Sequence, residues 1–363
     1  QQHFGTFFQK HQRKPSQTDG RKMTQKERSV IGRLAPSPTG YLHLGNAWSF
    51  LLAWLSARLG NGKIFLRMED IDPARSKPEF IDGILEDFAW LGLDYDGEIV
   101  FQSRRIQIYE EYLQKISPFV YPCFCTRKEL REVAGAPQVT APGDRLIMPD
   151  MGAVYHRTCR FFSSEERKQK TGKNACLRLA CPPFEKQEYE IIPEQFHTAA
   201  PIFSFNDLIL GKQEFDLNAC GGDFAVQRSD KVWAYQFAVS IDDMLMGINQ
   251  VVRGADILTS TPRQLYLFQL FGHTAPEYAH IPLLLDPKGE RLAKRHASLS
   301  LKTLRQKYKS PAPLIQYLCR FLAVDGNAGS ARELLACLKE KKIQFLPWDM
   351  LKQYENAIQT NFT

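Results

Sequence analysis

The sequence predicts an α/β fold. A doubly wound parallel sheet is interrupted by an inserted, cysteine-bearing subdomain and followed by a short helical region. Three observations predict it. Short apolar runs alternate with helical periodicity over residues 29–118 and again over residues 206–285. Charged side chains gather where the apolar runs end, the edge at which parallel sheets hold ligands. Between these blocks, residues 119–205 lose that alternation and carry Cys123, Cys125 and Cys159.

Composition narrows the class. A chain of 363 residues is long enough for two or three domains and a large core. Its apolar share of 44% and charged share of 24% are those of an ordinary soluble globular protein. The net charge of +7 suits a polyanionic partner, although net charge speaks to association rather than fold. No apolar run approaches the roughly 20 residues of a membrane span, so no membrane attachment is expected. The eight cysteines do not read as a secreted disulfide framework. Cys319 and Cys337 lie in helical apolar patterns, as reduced thiols of a cytoplasmic protein do. A monomer is expected.

Taken in order, residues 1–28 are polar, lack periodicity and read as a disordered tail. Met23 offers an internal start, and a basic, acid-poor segment also fits a transit peptide. Ser29, Val30 and Ile31 open a buried strand. The stiff turn Pro36-Ser37-Pro38-Thr39-Gly40 follows. A helix is then expected through Leu44, Trp48, Leu51 and Leu55, with His43 and Gly45 in its first turn. A strand, a tight turn and a helix start offer free N–H groups and a helix dipole to an anion. Gly45 leaves room for a flat ligand, and His43 can donate to a phosphate oxygen. Lys63–Met68 reads as a strand ending at Glu69-Asp70-Ile71-Asp72. Pro78–Leu91 reads as a helix, Ile99–Phe101 as a strand and Arg104–Ile116 as a helix.

In the insert, Cys123 and Cys125, answered by Cys159, form three corners of a tetrahedral zinc site, and chemistry alone nominates His156 as the fourth. Gly135 to Gly152 is a long loop. Cys176 and Cys181 read as ordinary strand residues, and Ile202 to Leu217 as a hairpin. Further on, Gly222–Asp230 is a strand and turn, and Trp233–Asp243 a helix. Val251–Leu258 is a strand running into a loop, and Thr261-Pro262 starts a helix with Pro at an early position. Residues 286–302 form a basic, flexible loop. Residues 303–363 suggest three short helices, Pro313–Ala323, Ser330–Lys341 and Trp348–Ile358.

The string A-P-S-P-T-G-Y-L-H-L-G (35–45) resembles the H-I-G-H signature of class I aminoacyl-tRNA synthetases, in the form used by the glutamate-specific group. Arg67-Met68-Glu69-Asp70-Ile71-Asp72 is similar to that group's R-x-E-D-x-D element. G-D-F-x-x-x-R-x-D from Gly222, W-A-Y-Q-F-A-V-x-x-D-D from Trp233 and V-x-R-G-x-D-I-L from Val251 resemble the second half of its catalytic domain. Arg291-Leu292-Ala293-Lys294-Arg295 stands where the K-M-S-K-S loop would be. It keeps that signature's second lysine as Lys294. Within this group the chain resembles the glutamyl-queuosine tRNA(Asp) synthetases. The likeness covers nearly all of residues 29 to about 300, and the chain stops where full glutamyl-tRNA synthetases carry an anticodon-binding region.

The resemblance implies a Rossmann-like catalytic domain. It implies ATP-dependent activation of L-glutamate, independent of tRNA, and transfer of glutamate to queuosine in the anticodon of tRNA(Asp). His43 and Lys294 would be catalytic. Arg33, Leu34, Ala35, Pro36, Ser37, Glu69, Tyr235 and Arg253 would hold glutamate. His43, Gly45, Asn46 and Lys294 would hold ATP, which brings Mg²⁺. In that family the pattern C-x-C…Y-x3-C includes the tyrosine, which implies one structural zinc on Cys123, Cys125, Tyr155 and Cys159, with His156 as the alternative. Three other readings stay open: a glutamyl-tRNA synthetase charging tRNA(Glu), a related adenylate-forming nucleotidyltransferase, and a non-catalytic RNA-binding paralogue.

Overall fold

The computed structural model describes residues 29–126, 129, 155–170, 172–285, 300–322, 328–343, 346, 348–352 and 357–359. The expected tail 1–28, the loop from Gly135 to Gly152 and Lys294 lie outside them. Strands Ile31–Leu34 (β1), Lys63–Met68 (β2) and Val100–Phe101 (β3) form a parallel sheet in that order. Helix Leu44–Leu59 (α1) joins β1 to β2, and Pro78–Leu91 (α2) joins β2 to β3. Pro78 opens α2, and Gly92 closes it in the left-handed region at φ 75°, which suits glycine. A 3₁₀ turn at Gln102–Arg104 leads into Ile106–Lys115 (α3).

The insert contributes Val120–Cys123 (β4), Ser164–Gln169 (α4) and Cys176–Leu179 (β5). Ile202–Asp207 (β6) and Gly211–Asp216 (β7) make the expected hairpin. Phe224–Gln227 (β8) follows, then Tyr235–Leu245 (α5), Gln250–Gly254 (β9), Thr261–Leu270 (α6), Glu277–Ile281 (β10) and Leu283–Leu285 (β11). A second sheet runs β7-β6-β10-β9, with β6, β10 and β9 parallel. It abuts the first along β1. The Asn249 N–H donates to the Ile31 carbonyl at 3.0 Å, and the Ile31 N–H donates to Asn249 Oδ1 at 2.7 Å. Chain order thus reverses between β1 and β9, at the kind of switch point where open α/β sheets bind ligands. Arg33 lies on β1 and Arg253 on β9.

β4, β5 and β8 form a separate antiparallel sheet, so β8 pairs with the insert although it follows the hairpin in sequence. The insert also shares its apolar core with the later helices: Tyr109, Phe119, Tyr155, Phe224, Phe237 and Tyr266 pack in one cluster.

Beyond β11 come Leu301–Lys307 (α7), Ala312–Cys319 (α8), Ala331–Glu340 (α9), Asp349–Lys352 (α10) and Ala357–Gln359 (β12). Two expectations are corrected here. Residues 300–302, read as part of the flexible loop, are the cap and start of α7: Ser300 Oγ accepts the Thr303 N–H at 3.2 Å. Of the helix expected over Trp348–Ile358, the described residues include the short α10, and Ala357–Gln359 is a strand parallel to β11. Pairing with a free sheet edge outweighs the helical spacing of so short a segment. The C-terminal helices explain α1. Eleven of its sixteen residues are buried, and a helix apolar on nearly every face must be covered on more than one side. The sheet covers one side, while Leu314, Leu318, Leu334 and Leu338 join the same cluster.

Candidate active site and metal centre

The turn Pro36–Gly40 is pinned from outside: Glu69 N–H donates to the Pro36 carbonyl at 2.9 Å, and Lys77 N–H to the Pro38 carbonyl at 3.2 Å. His43 is not inside the helix, as the periodicity suggested; it is the N-cap of α1. Its Nδ1 accepts the Asn46 N–H at 3.3 Å, and Asn46 Oδ1 accepts the His43 N–H at 3.0 Å. Such a reciprocal box satisfies two helix-end donors. Burial pulls the His43 imidazole down to about 4, so the ring is neutral near pH 7. With Nδ1 accepting, its proton sits on Nε2, which is left to donate. A Cβ at Gly45 would lie 3.1 Å from the His43 ring, so glycine leaves the ring its place.

His43, Gly45, Asn46 and Ser49 line one side of a cavity of about 200 Å³; Gly254, Asp256 and Pro282–Leu284 line the other. A Cβ on Gly254 would meet Asp256 Oδ1 at 2.5 Å, so only glycine lets that carboxylate fold back over the strand end. Asp256 was not among the expected site residues, although the quoted V-x-R-G-x-D-I-L string contained it. Leu301 N–H donates to the Leu42 carbonyl at 2.7 Å, and Ser300 bridges His43 as an antiparallel pair. The downstream end of the lysine-bearing loop is therefore fastened to this turn.

A cluster of buried charge ties β1, β2 and α5 together. Arg67 is fully buried and donates to Asp243 at 2.6 Å and to Glu69 at 3.1 Å. Arg33 sits 3.6 Å from Asp243 and donates to the Val252 carbonyl at 3.3 Å. Burial pushes the Glu69 carboxyl up, against the pull of Arg67 and Arg33. The other acids of that element do different work. Asp70 accepts the N–H and the hydroxyl of Ser103 at 2.9 and 2.6 Å, and Asp72 pairs with Arg228 at 2.8 Å.

Arg253 differs from the other two arginines. Its Nε donates to His280 Nε2 at 2.9 Å, Nη1 to Gln264 Oε1 at 2.8 Å and Nη2 to Thr261 Oγ1 at 2.7 Å. All three acceptors are buried. Among the described residues, no carboxylate comes within ion-pair distance of Arg253. His280, Gln264 and Thr261 were not legible as site residues, because nothing in their local sequence marks them.

The expected glutamate residues converge in part. Tyr235 lies within electrostatic reach of Glu69, Arg33 and Arg253, and Arg33 within reach of both Glu69 and Arg253; Ser37 Oγ donates to Glu69 Oε2 at 3.3 Å. Tyr235, at the start of α5, is exposed. Leu34 is wholly buried in the core, Ala35 half-buried and Pro36 buried. Leu34 can therefore offer a ligand only its backbone.

In the insert, the sulfurs of Cys123, Cys125 and Cys159 all lie within 4.8 Å of one another, and Cys125 Sγ and Cys159 Sγ are 3.5 Å apart. Tyr155 Oη accepts the Cys159 N–H at 2.9 Å and lies 3.4 Å from Cys123 Sγ. His156 is exposed and outside the group. A set of three thiols and a phenol at this spacing fits a small, thiophilic cation. Cys176, read as an ordinary strand residue, faces Cys123 across the ladder. Its thiol is the largest of the influences pulling the Cys123 thiol below its ordinary range. Arg178 stacks over the Tyr155 ring at 3.9 Å.

Among the described residues, no helix is long and apolar enough to cross a membrane. The family described as tRNA synthetases class I (E and Q), catalytic domain, matches residues 29–344. A glutamyl-Q tRNA(Asp) synthetase of Nitratidesulfovibrio vulgaris is 50% identical over 302 residues, 80% of this chain and 85% of that protein. A glutamate–tRNA ligase of Aquifex aeolicus is 38% identical over 296 residues, 80% of this chain but 56% of that ligase. The crystal structure of a glutamate tRNA ligase from Elizabethkingia meningosepticum, in complex with its amino acid, superposes with a TM-score of 0.68 at 25% identity. It covers 91% of this chain and 67% of that one. By sequence match and by fold alike, the chain belongs to the class I tRNA synthetases of the E and Q group, whose catalytic domain it carries.

Proposed function

We propose that the chain activates L-glutamate with ATP and transfers it to queuosine in the anticodon of tRNA(Asp). The observation that carries the glutamate reading is Arg253, a buried guanidinium whose hydrogen-bond acceptors among the described residues are all neutral. A substrate carboxylate supplies the missing counter-charge, in the forked geometry that arginine favours. Arg33 lies close by, and Glu69, next to Ser37, offers a carboxylate to the substrate ammonium. Two carboxylates and one ammonium describe glutamate.

In the first step, a carboxylate oxygen of glutamate attacks the α-phosphorus of ATP, the bond to the β-phosphate bridging oxygen breaks, and pyrophosphate leaves. Positioning and charge neutralisation dominate such a displacement. The neutral His43 donates from Nε2 toward the phosphates, beside Gly45 and Asn46, and Mg²⁺ travels with ATP as part of the substrate. Lys294 meets the pyrophosphate charge as a compact cation. In the second step a hydroxyl of the modified base attacks the adenylate carbonyl, and AMP leaves. Cys123, Cys125, Cys159 and Tyr155 hold one zinc, which braces the insert and takes no part in the chemistry.

The acceptor rests on the relatives, since the Nitratidesulfovibrio protein is named for queuosine-bearing tRNA(Asp). The test charges tRNA(Asp) with radiolabelled glutamate, with and without queuosine, beside tRNA(Glu). Label on queuosine-containing tRNA(Asp) alone is expected. Label on tRNA(Glu) alone would overturn the acceptor, and no glutamate-dependent ATP–pyrophosphate exchange would overturn the activation step.

A further inference from the structure

Arg253 does not orient itself. A buried guanidinium of five N–H groups can be aimed only by what accepts them, and the acceptor at its Nε is His280 Nε2. That contact requires a bare nitrogen at Nε2. The other ring nitrogen, Nδ1, lies 2.6 Å from Asp207 Oδ2, so the ring proton sits between imidazole and carboxylate. Asp207 is itself held. Its Oδ1 accepts the N–H groups of Ile209 and Leu210 at 3.0 Å each, and its Oδ2 the His280 N–H at 3.2 Å. Tyr278 stacks on His280, their ring planes 16° apart, and stands 4.8 Å from the Arg253 guanidinium. His280, Asp207 and Arg253 are all buried.

We propose that His280, oriented by Asp207, is a positioning residue for substrate recognition: its bare Nε2 anchors the Arg253 Nε–H and aims the guanidinium at a substrate carboxylate. This rests on the reading of Arg253 as a carboxylate-holding group. The relay explains why the partner is histidine. A carboxylate at that place would neutralise Arg253 and weaken its hold on an anionic ligand. An amide could accept equally well but could turn over. A histidine whose Nδ1–H is committed to a fixed Asp207 presents a neutral acceptor in one orientation only. Asp207, one residue further away, keeps its charge out of contact with the guanidinium. Burial, which lowers the His280 imidazole to about 4, keeps the ring uncharged beside a cation.

The relay has a spectroscopic and a kinetic signature. In ¹⁵N-histidine-labelled wild-type protein without substrate, the His280 ring, assigned by its loss in His280→Gln, is expected as the neutral Nδ1–H tautomer. An Nε2–H tautomer or an imidazolium near pH 7 overturns the proposal, whatever the substrate proves to be. In ATP–pyrophosphate exchange, Asp207→Asn lets an amide donate to Nδ1 and drives the proton onto Nε2, against the Arg253 N–H. KM for glutamate is expected to rise about tenfold, the scale of a hydrogen bond to a charged group, with KM for ATP unchanged. His280→Leu gives the same split.

His280→Gln keeps both contacts in kind: its amide oxygen accepts the Arg253 Nε–H and its NH2 donates to Asp207. It is expected to hold KM for glutamate within about threefold of wild type. Equal rises in both KM values, or a KM for glutamate in His280→Gln as high as in His280→Leu, would mean a merely structural pair and overturn the proposal. Absence of glutamate-dependent exchange in the wild type overturns the functional reading instead, and leaves the tautomer measurement to judge the relay.

Discussion

His43 divides two tasks between its two ring nitrogens. Nδ1 caps α1, and Nε2 is the donor assigned to phosphate. Asparagine is a good N-cap but carries no such donor. His43→Asn is therefore expected to keep stability within about 0.5 kcal/mol at pH 7 while glutamate-dependent exchange falls about 100-fold. Equal losses in both would show that the cap alone matters. Acid separates the two further. The folded imidazole titrates at about 4 against an ordinary 6.5. Between those values the unfolded chain binds a proton that the folded chain refuses. The stability from a neutral His43 is thus complete above pH 6.5 and lost as pH falls toward 4, at about 1.4 kcal/mol per pH unit. Urea midpoints of wild type and His43→Asn, close at pH 7, are expected to diverge at pH 5 with the wild type the lower, and parallel curves would refute the burial argument. His43 was legible because its turn is contiguous. His280 was not, because its partners lie 27 and 73 positions away and a lone histidine in an apolar strand reads as core.

Among the elements, the antiparallel pair β4 and β5 carries the cysteine cluster proposed to hold zinc. Cys123 ends β4, and β5 brings Cys176 opposite it and Arg178 over Tyr155. Sequence spacing left Tyr155 and His156 to compete; the fold turns Tyr155 inward and His156 to solvent. Purified protein dialysed against a mild chelator is expected to keep roughly one zinc per chain. His156→Ala should match it, Tyr155→Phe hold less and Cys159→Ser lose most, as read by elemental analysis. Tyr155→Phe and His156→Ala retaining equal zinc would remove the phenol from the ligand set. The same scale shows what periodicity can reach. Pro78–Leu91 was bounded to the residue because proline opens it and a left-handed glycine closes it. The strand Ala357–Gln359 was missed because its reason is the edge of β11, remote in sequence.

For the molecule as a whole, the C-terminal helices are part of the catalytic half. Leu338 on α9 is fully buried in the cluster that contains α1 and β1. Leu338→Ala is expected to cost ~2–5 kcal/mol, read as a lower urea midpoint in a single transition. A separate early transition with the main one unmoved would make that region an independent unit. The alternating blocks of the sequence foretold the parallel sheet. They did not foretell that β8 would leave it for the insert, since strand partners are chosen by three-dimensional packing that local pattern does not encode. One contact also sets a length scale. Leu301 is stitched to Leu42, and Ser300 to His43. Lys294 precedes Ser300 by six residues, so covalent reach alone keeps its Cα within ~21 Å of that stitch. For the ammonium proposed to meet pyrophosphate, covalent length alone therefore sets a floor on its effective concentration at that turn, whatever its affinity for the ligand.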